Sequence, residues 1–502
     1  MIAAGMFEIL CVCVVILYLL YYYLTADFDY WTSRGINGPK PVPFFGNATE
    51  FMLGKKCLGD FFTDIYKRYP KESMVGVFVR GKPVLILRDP EYIKQVLIKD
   101  FAIFADRQAM VYEKAEPLSL HLFRIDAARW RPLRMRLSPI FTSGKLKDMF
   151  HLLLNCSEHF EKYLHEIVSK DSVVECRDLT SKYTVDVIGS CVFSLEMNAL
   201  KEENNQFQTM GRRIFRSTFK VFFRNMLREL PWLFKHVGHI LDDHDIVNFM
   251  TELTQSAIEH RKRNNVRRND FIDILVDLKD NPDKLGVNNV TDPFLAAQLF
   301  VFFAAGFETS SSTMTYAMYE LAQNQSIQET VREEIKEVLN SSDGVILYDD
   351  IKKMSYLDKV FQETLRKYPP VMHLTRKPVK NYTFEGTKIS LRKGQQVIIP
   401  ITAIQNDPDI YPDPEVFDPE RFSAINVEQR NSMYYLPFGD GPRNCIGARF
   451  AINQTKIGLI KVLTNYKIDV CEKTQIPIVH APLGSLMLQT THGIYVKLTK
   501  LA

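Results

Sequence analysis

The chain has 502 residues, of which 46% are hydrophobic and 24% charged, and its formal net charge is +4 at pH 7. This is the composition of a globular protein with a large core, and so small a positive excess gives no reason to expect a nucleic-acid partner. No internal repeat or long low-complexity linker divides the chain after residue 50, so we expect one large domain.

The cysteines do not follow a metal-binding pattern. There are eight of them: Cys11, Cys13, Cys57, Cys156, Cys176, Cys191, Cys445 and Cys471. Outside the N-terminal apolar run none belongs to a CxxC motif, which disfavours structural zinc, a locally ligated iron–sulphur cluster and a dense disulfide framework. The pattern suits reduced thiols in the cytosol.

Residues 1–26 predict a membrane anchor. Residues 9–24 are apolar throughout, Glu8 is the only charge before them, and counting back past it gives the roughly 20 residues that a membrane span needs. A cleaved signal peptide is the alternative, but it would need a basic start, and no Lys or Arg precedes Arg34. The basic residues that follow place the remainder of the chain on the cytosolic side.

Residues 27–47 form a predicted linker that contains a proline-rich hinge. In "GPKPVPFFGN", Pro39, Pro41 and Pro43 fix φ and remove backbone donors, which predicts a stiff extended segment and not a helix. The segment is either an ordinary linker or a spacer that sets the height of the main domain over the bilayer.

Residues 48–502 form the predicted main domain, which is mainly α within an α+β class. Helical periodicity dominates residues 58–340 and is interrupted by a strand pair in "MVGVFVRGKPVLIL", with its turn at Arg80 and Gly81. Later, "QQVIIPITAI" predicts a strand and "VHAPLGSLMLQTTHGIYVKL" a terminal hairpin. The smaller β-rich part therefore accompanies a large helical part.

The longest predicted helix covers residues 292–322, with Asp292 as N-cap and Pro293 behind it. Its first half is apolar all round, as in a membrane span or the buried axis of a large domain. Glu308, Thr309 and the serines that follow interrupt the run before it reaches spanning length, which favours the buried axis.

The "AAGFET" stretch of this helix contains residues that a plain core helix avoids. Gly306 costs about 1 kcal/mol relative to Ala, and Glu308 brings a charge into apolar surroundings. Thr309 either bonds back to the carbonyl of Ala305 while Glu308 reaches solvent or a basic partner, or the helix is kinked and these groups deliver protons to oxygen bound over a metal.

Two further charged fragments each allow two interpretations. Glu363 and Arg366 lie at a spacing at which helical side chains meet, and most such pairs are exposed. In "RWRPLRMR", Trp130 and Arg134 share a helical face, which is either an exposed basic helix or a site for a carboxylate-bearing cofactor.

The stretch "PFGDGPRNCIG", residues 437–447, leaves open what Cys445 holds. A zinc ligand, a disulfide half, a nucleophile, an inert thiol and an axial haem ligand are possible in principle. The lack of pairing partners removes zinc and weakens the disulfide. A helix starting near Ile446 would offer free N–H groups to a thiolate, and Gly441 and Gly447 would allow close backbone approach.

Taken together, these motifs resemble the signature set of the cytochrome P450 haem-thiolate monooxygenases. In chain order they are Trp130-x-x-x-Arg134, Ala305-Gly306-x-Glu308-Thr309, Glu363-x-x-Arg366, "PERF" ending at Phe422, and Phe438-x-x-Gly441-x-Arg443-x-Cys445-x-Gly447. The resemblance covers essentially the whole chain and is strongest to insect microsomal enzymes of xenobiotic-metabolising families. It implies the cytochrome P450 fold on an N-terminal transmembrane anchor.

The resemblance implies haem b with Cys445 as the thiolate ligand of its iron, and Thr309 with Glu308 as the proton-delivering pair. Glu363, Arg366 and Arg421 become a buried structural triad. Relatives often carry histidine in place of Gln405, to which we assign no catalytic role. The cofactor-binding residues implied are Trp130, Arg134, Ala305, Gly306, Thr309, Arg376, Phe438, Arg443, Cys445 and Gly447.

Apolar side chains in the segments that contact substrate in the family predict a pocket for a lipophilic molecule. Its named members are Phe104, Phe215, Phe302, Ala305, Val371 and Leu486, with Phe101 and Phe219 as further candidates. For any one phenylalanine, core packing is the simpler explanation. The residues do not distinguish a plant toxin, an insecticide, a steroid or a terpenoid.

The resemblance also implies a microsomal enzyme of the endoplasmic reticulum membrane. Electrons would come from NADPH through cytochrome P450 reductase, with cytochrome b5 as a further partner. The basic residues Arg129, Arg131, Arg136, Lys145 and Lys147 would attract an acidic partner. A reductase-independent haem-thiolate isomerase or dehydratase and a tethered ligand-sequestering haem protein are the alternatives, against which the intact Glu308-Thr309 motif argues.

Overall fold

We describe a computed structural model, which covers residues 2–107, 111–202, 205–216, 218–228, 230–287, 290–482 and 487–501, with side chains from residue 6. Helices dominate it. They are α1 Ile2–Thr25, α2 Thr49–Met52, α3 Leu58–Arg68, α4 Pro90–Lys94, α5 Ala127–Leu137, α6 Ser143–Asp148, α7 Phe150–Lys170, α8 Cys176–Ile188, α9 Gln206–Phe215, α10 Phe219–Leu227, α11 Pro231–Leu241, α12 His244–Arg263, α13 Phe271–Asp280, α14 Asp292–Gln323, α15 Gln325–Asn340, α16 Asp350–Lys353, α17 Ser355–Lys367, α18 Ile401–Gln405, α19 Ala424–Gln429 and α20 Ala448–Asn465. The predicted mainly α class is confirmed.

The strands form small separate sheets. They are β1 Met74–Val79, β2 Lys82–Leu87, β3 Val173–Glu175, β4 Leu374–Arg376, β5 Tyr382–Thr383, β6 Ser390–Leu391, β7 Gln396–Ile399, β8 Tyr466–Asp469 and β9 Tyr495–Lys500. The largest sheet has the order β1-β2-β7-β4, and the others are β3-β9-β8 and β5-β6. The predicted hairpin is confirmed, because β1 and β2 are antiparallel and turn at Arg80 and Gly81, both with positive φ.

Two strand predictions are only partly correct. "QQVIIPITAI" supplies β7 as far as Ile399. After Pro400 the strand does not continue, because the next residues form the short helix α18. The C-terminal stretch makes an isolated antiparallel bridge between His480 and Thr490, whereas β9 pairs with β3 and β8. The sheet that contains β9 is therefore completed by β3 and β8, which are distant from it in sequence, and not by a local hairpin.

Helix α14 is the buried axis of the molecule, and this expectation is confirmed. Its residues are buried along most of its length, and it packs against α8, α12, α17 and α20. Its N-cap is Thr291 and not Asp292, because the Thr291 side chain accepts a bond from the N–H of Phe294. Asp292 instead binds Lys279 and Gln255.

Two helices are long and apolar enough to cross a membrane in the described part of the chain. One is α14, which is 67% buried over its most apolar stretch; the other covers Met6–Thr25 and has no buried residue. The second is therefore the candidate membrane anchor.

The predicted linker at residues 27–47 packs against the main sheet. Tyr30, Trp31 and Ile36 are buried, and the indole N–H of Trp31 donates to the carbonyl of Val77 at 3.0 Å. The proline segment does not stay extended, because Val42 and Gly46 form an antiparallel bridge around a turn. Large apolar side chains hold this segment on β1, an effect that the prolines alone did not reveal.

Candidate active site

A cavity of about 340 Å³ lies between α14 and the segment that precedes α20. Helix α14 contributes Phe302, Ala305 and Thr309, and the segment 437–447 contributes Cys445 on the other side. Further walls come from α5, from residues 370–376 and from the loop that contains Leu122. Most of the lining side chains are apolar, as in a site that takes a lipophilic ligand.

Cys445 is held by its own loop, and its exposed surface faces this cavity. Its N–H donates to the carbonyl of Phe438 at 2.8 Å. Burial raises the pKa of the Cys445 thiol, while the N–H of Gly447 and the charges of Arg134 and Arg107 act in the opposite direction. Helix α20 starts at Ala448 with Gly447 as an N-cap that has no side chain, which leaves first-turn N–H groups near the sulphur.

The two glycines of this loop have different roles. Gly441 has φ +73°, and a Cβ there would lie 1.9 Å from the carbonyl oxygen of Leu97, so its close approach is to protein and not to the cavity. A Cβ on Gly447 would meet only the Phe141 ring, at 3.7 Å. Gly447 lines the cavity, so the absence of a side chain at this position leaves space inside the cavity.

Four arginines line the same cavity: Arg107, Arg134, Arg376 and Arg443. In the described part of the chain none of them forms an ion pair with a carboxylate. Arg376 and Arg443 are buried, and burial lowers the pKa of each to about 10, in Arg376 together with the charge of Arg443. Burial and the three other arginines lower the pKa of Arg107 well below its usual value.

These arginines keep unused donors. The Nε of Arg376 and the Nε and Nη1 of Arg443 are buried, and no described residue offers them a hydrogen bond. The Arg443 guanidinium lies over the Trp130 ring at 4.7 Å. A buried cation without a hydrogen-bond partner costs free energy. The arginines of this cavity therefore fit a ligand that carries carboxylates, as haem does in its propionates.

Arg134 connects α5 with the cysteine loop. Its Nη1 donates to the carbonyl of Asn444 at 3.0 Å and its Nη2 to the side-chain oxygen of Asn444 at 3.1 Å. The predicted residues Trp130, Arg134, Arg376, Phe438, Arg443, Cys445 and Gly447 are thus brought together with Ala305, Gly306 and Thr309 around one cavity.

Glu308 and Thr309 point in different directions. Thr309 lines the cavity and its Oγ1 donates to the carbonyl of Ala305 at 2.7 Å. Glu308 is not among the cavity-lining residues; it is buried and accepts a hydrogen bond from Arg177. Neighbouring helical residues diverge by about 100°, which explains the separation. This arrangement is the first of the two interpretations of the stretch, with Thr309 bonded back to Ala305 and Glu308 on a basic partner, and proton delivery by the two residues stays a prediction.

Gly306 is explained by packing. A Cβ at this position would lie 2.5 Å from Cδ1 of Ile188 on α8. The absence of a side chain allows α8 and α14 to approach closely at the cavity wall. Helix α14 runs on through Gly306 as continuous α-helix.

Glu363, Arg366 and Arg421 lie together. Arg366 Nε is 2.7 Å from Glu363 Oε2, and both side chains are fully buried. Arg421 Nε lies 3.5 Å from Glu363 Oε1. The pair is thus not the exposed surface pair that its spacing alone favours.

Gln405, to which we assigned no catalytic role, is a structural residue. Its side-chain amide donates to the carbonyls of Leu365 and Arg366 at 2.9 and 3.0 Å, and its oxygen accepts from the N–H of Leu436 at 2.9 Å. It therefore connects the end of α17 with the segment that leads to Cys445.

The predicted substrate residues divide into two groups. Phe302, Ala305 and Val371 line the cavity. Phe104 does not, because it packs against Tyr382 and Phe384 in a separate apolar cluster. Phe215 contacts Phe307 on α14 and does not reach the cavity wall either.

The remaining candidates also lie away from the cavity or outside the description. Phe101 packs on the Trp130 ring at 5.7 Å. Phe219 is 76% exposed. Leu486 lies outside the described residues. The sequence also missed the cavity-lining Arg107, since a single basic residue in a loop carries no periodic signal.

The comparisons identify the family. The sequence profile described as Cytochrome P450 matches residues 36–498. The chain belongs to the cytochrome P450 family. It is 41% identical over 510 residues to Cytochrome P450 6a2 of Drosophila melanogaster, covering 99% of this chain and 100% of that protein.

This cytochrome P450 has further insect relatives. It is 40% identical over 463 residues to Cytochrome P450 6A1 of Musca domestica, covering 91% of each chain. It is 38% identical over 492 residues to Cytochrome P450 6B1 of Papilio polyxenes, covering 96% of this chain and 97% of that one. The chain is therefore a cytochrome P450 monooxygenase, and its family uses haem with a cysteine thiolate ligand.

Proposed function

We propose that this cytochrome P450 inserts one oxygen atom of O2 into lipophilic small molecules, such as plant toxins, insecticides or endogenous lipids and hormones. The observation that carries the proposal is one largely apolar cavity, lined by Cys445, by Thr309 and by four arginines that have no carboxylate partner among the described residues. Residues 48–502 are the proposed catalytic domain, residues 1–26 its anchor in the endoplasmic reticulum membrane and residues 27–47 the connection.

Cys445 is the proposed thiolate ligand of haem iron, and Arg376, Arg443 and Arg107 are the proposed partners of the haem propionates. The Gly447 N–H stabilises negative charge on sulphur. Bound haem supplies the activation of dioxygen, to which thiolate donation contributes. The chain itself would supply the anionic ligand of the iron and the cationic donors that bind the propionates.

Thr309 is the proposed proton-handling side chain. Its hydroxyl proton is directed to the carbonyl of Ala305, so its oxygen lone pairs remain available to accept a hydrogen bond from the cavity side. Glu308 takes part only when its carboxylate leaves Arg177, because the two are ion-paired away from the cavity wall. Apolar residues such as Phe302 and Val371 exclude water around the reacting group.

The proposed electron donor is NADPH, acting through a membrane-bound reductase, with cytochrome b5 as a possible second partner. Arg131 and Arg136 on α5 and Lys147 on α6 are exposed. Helix α5 is joined to the cysteine loop through Arg134 and Asn444, so this basic surface lies on the Cys445 side of the cavity. An acidic partner would be attracted there.

The reduced carbon monoxide complex of the full-length protein tests the thiolate assignment. We expect a red-shifted Soret band that is lost in Cys445→Ala. Survival of that band in the variant would overturn the assignment.

Product analysis after incubation with reductase, NADPH and a panel of lipophilic compounds tests the reaction. Oxygenated products that require NADPH are expected. Rearranged or dehydrated products without NADPH would favour the isomerase or dehydratase alternative, and ligand-induced spectral shifts without any product would favour sequestration.

Reversal of the basic surface tests the reductase contact. We expect Arg131→Glu combined with Lys147→Glu to lower reductase-dependent turnover while haem content is retained. Arg263→Glu combined with Lys336→Glu changes the net charge equally at exposed positions on α12 and α15 and is the matched control. Equal turnover in both double variants would contradict the proposed contact between this basic surface and the reductase.

A further inference from the structure

Two tyrosine rings are stacked directly behind the cavity wall. Tyr316 on α14 and Tyr368 at the end of α17 have 4.5 Å between their ring centres and 4° between their planes. Thr313, which precedes Tyr316 by about one turn of α14, lines the cavity. Leu365, which precedes Tyr368 by about one turn, lines it as well. The stacked pair therefore begins close to the cavity.

The hydroxyl of Tyr368 has a base as its hydrogen-bond partner. It donates to Oε1 of Glu320 at 2.5 Å, and Nζ of Lys367 donates to the same oxygen at 2.9 Å. Burial and the charge of Glu320 raise the pKa of the Tyr368 phenol above its usual value, so the phenol keeps its proton near neutral pH. A phenol that loses an electron becomes a strong acid. The carboxylate of Glu320 is placed to take that proton.

The stacked pair leads from the interior of the protein towards solvent. Tyr316 is only 3% exposed, whereas Tyr368 is half-buried. A third ring, that of Tyr319, meets the Tyr368 ring edge to face at 6.4 Å. Tyrosine is one of the few side chains that lose an electron reversibly, and contact between rings lets an electron move from one to the next.

Packing alone does not require this arrangement. A phenylalanine ring in place of Tyr368 would stack on Tyr316 equally well and would not set a phenol against a buried carboxylate. The Glu320 side chain is only 4% exposed, and a buried carboxylate costs free energy unless it is paired, as it is here with Lys367. The proposed oxygenation uses none of these groups.

We propose that Tyr316, Tyr368 and Glu320 form a redox relay, which carries oxidising equivalents out of the cavity when haem has been oxidised and no substrate is present to react. This tyrosine relay is a further function of the chain, since it limits oxidative damage and does not contribute to oxygen insertion. The inference rests on haem bound in the cavity.

The step transfers one electron and one proton. The oxidant is haem that has reacted with a peroxide or peracid, and the reductant is the phenol of Tyr368. One electron passes through the stacked rings to the haem, the O–H bond of Tyr368 breaks, and the proton forms a new O–H bond with Oε1 of Glu320. A neutral tyrosyl radical remains. A small-molecule reductant such as ascorbate returns the electron from the solvent side, and the proton returns from Glu320.

Mixing the full-length, haem-loaded protein with m-chloroperbenzoic acid in the absence of substrate tests the tyrosine relay. We expect electron paramagnetic resonance of freeze-quenched samples to show a tyrosyl radical, assigned by the narrowing of its signal in protein that contains ring-deuterated tyrosine. In Tyr368→Phe, which keeps the stacked ring, we expect loss of this signal and faster bleaching of the haem absorbance.

Two further variants make the test specific. Glu320→Gln keeps a hydrogen-bond acceptor but removes the base, so the radical is expected to form more slowly and in lower yield. Tyr183→Phe is the matched control, because Tyr183 is a buried tyrosine whose hydroxyl donates to a carbonyl, that of Gln454, at 3.2 Å. It is expected to leave both the signal and the bleaching rate unchanged. The carbon monoxide spectrum verifies that each variant is folded and loaded with haem.

The outcomes separate this inference from the proposed function. A wild-type protein with a normal carbon monoxide band but no tyrosyl signal after peracid overturns the tyrosine relay alone. The relay is overturned equally by a signal and a bleaching rate that do not change in Tyr368→Phe, or that change as much in Tyr183→Phe. Absence of the carbon monoxide band from the wild-type protein overturns the proposed thiolate ligation, whatever the radical signal shows.

Discussion

Arg177 on α8 donates to the carboxylate of Glu308 on α14, and the pair joins a half-exposed guanidinium to a carboxylate that is only 1% exposed. The second carboxylate oxygen of Glu308, Oε2, is buried and has no hydrogen-bond partner within the ranges that the structure describes. Burial raises the pKa of Glu308, while the charge and hydrogen bond of Arg177 lower it. The state of this carboxylate therefore depends on one residue of another helix.

Arg177→Ala is expected to destabilise the protein by about 1–3 kcal/mol at neutral pH, because it leaves Glu308 buried without its charged partner. The pKa of Glu308 is raised on folding, so its ionisation reduces stability as pH rises through the folded value. Without Arg177 the pKa of Glu308 rises further, so the deficit of the variant grows as pH rises above the usual carboxyl range. Urea unfolding at several pH values measures it.

Arg177→Lys retains the positive charge and is the matched control for this experiment. Its deficit is expected to be smaller and less dependent on pH. A deficit of Arg177→Ala that shrinks with rising pH would contradict the proposed coupling to Glu308.

Arg376→Met is expected to speed haem loss by about tenfold or more, since it removes a buried donor that has no protein carboxylate as partner. Transfer of haem to an excess of an apoprotein acceptor measures the rate. Arg263→Met, at an exposed position on α12, is the control and should leave the rate unchanged. Equal rates in the two variants would count against the propionate assignment.

Removing one partner of the Glu363–Arg366 pair is expected to cost about 3–5 kcal/mol, because it leaves a fully buried charge unpaired. The double variant Glu363→Leu with Arg366→Met should lose less than the sum of the single variants. The exposed Lys359–Glu420 pair, at 2.9 Å, is the comparison, with an expected cost of about 0–1 kcal/mol. Chemical unfolding supplies all these free energies, and strict additivity at Glu363 and Arg366 would refute the coupling.

Gly441→Ala is expected to prevent accumulation of folded, haem-loaded protein. The residue has φ +73°, and the added Cβ would lie 1.9 Å from the carbonyl oxygen of Leu97. Gly394→Ala is the control, since its φ is +78° but no atom lies within 4 Å of the added Cβ. The control should cost only about 1 kcal/mol, measured by unfolding; similar behaviour of both variants would show that the contact with Leu97 is unimportant.

The sequence predicted features that depend on local pattern. Apolar periodicity placed α14 within one residue of its observed end, and the alternation around Arg80 and Gly81 predicted the β1–β2 hairpin. The motifs, taken in chain order, predicted that Cys445, Arg443 and Trp130 belong to one site, and all three line the cavity. This was possible because each lies in a short segment with a distinctive sequence pattern.

Features that depend on distant contacts could not be read in this way. Whether Phe104 faces the cavity or the Tyr382 cluster is decided by how β5 packs, far along the chain. The direction of Glu308 depends on Arg177, which lies 131 residues earlier. The role of Gln405 depends on two segments, the end of α17 and the stretch around Leu436, that meet only at its side chain.

The burial of Tyr30 and Trp31 leaves only residues 26–29 between α1 and the body of the protein. Even fully extended, four residues reach only about 14 Å, and here they are folded into turns. With α1 as the proposed membrane anchor, a connection this short would hold the proposed catalytic domain close to the bilayer surface.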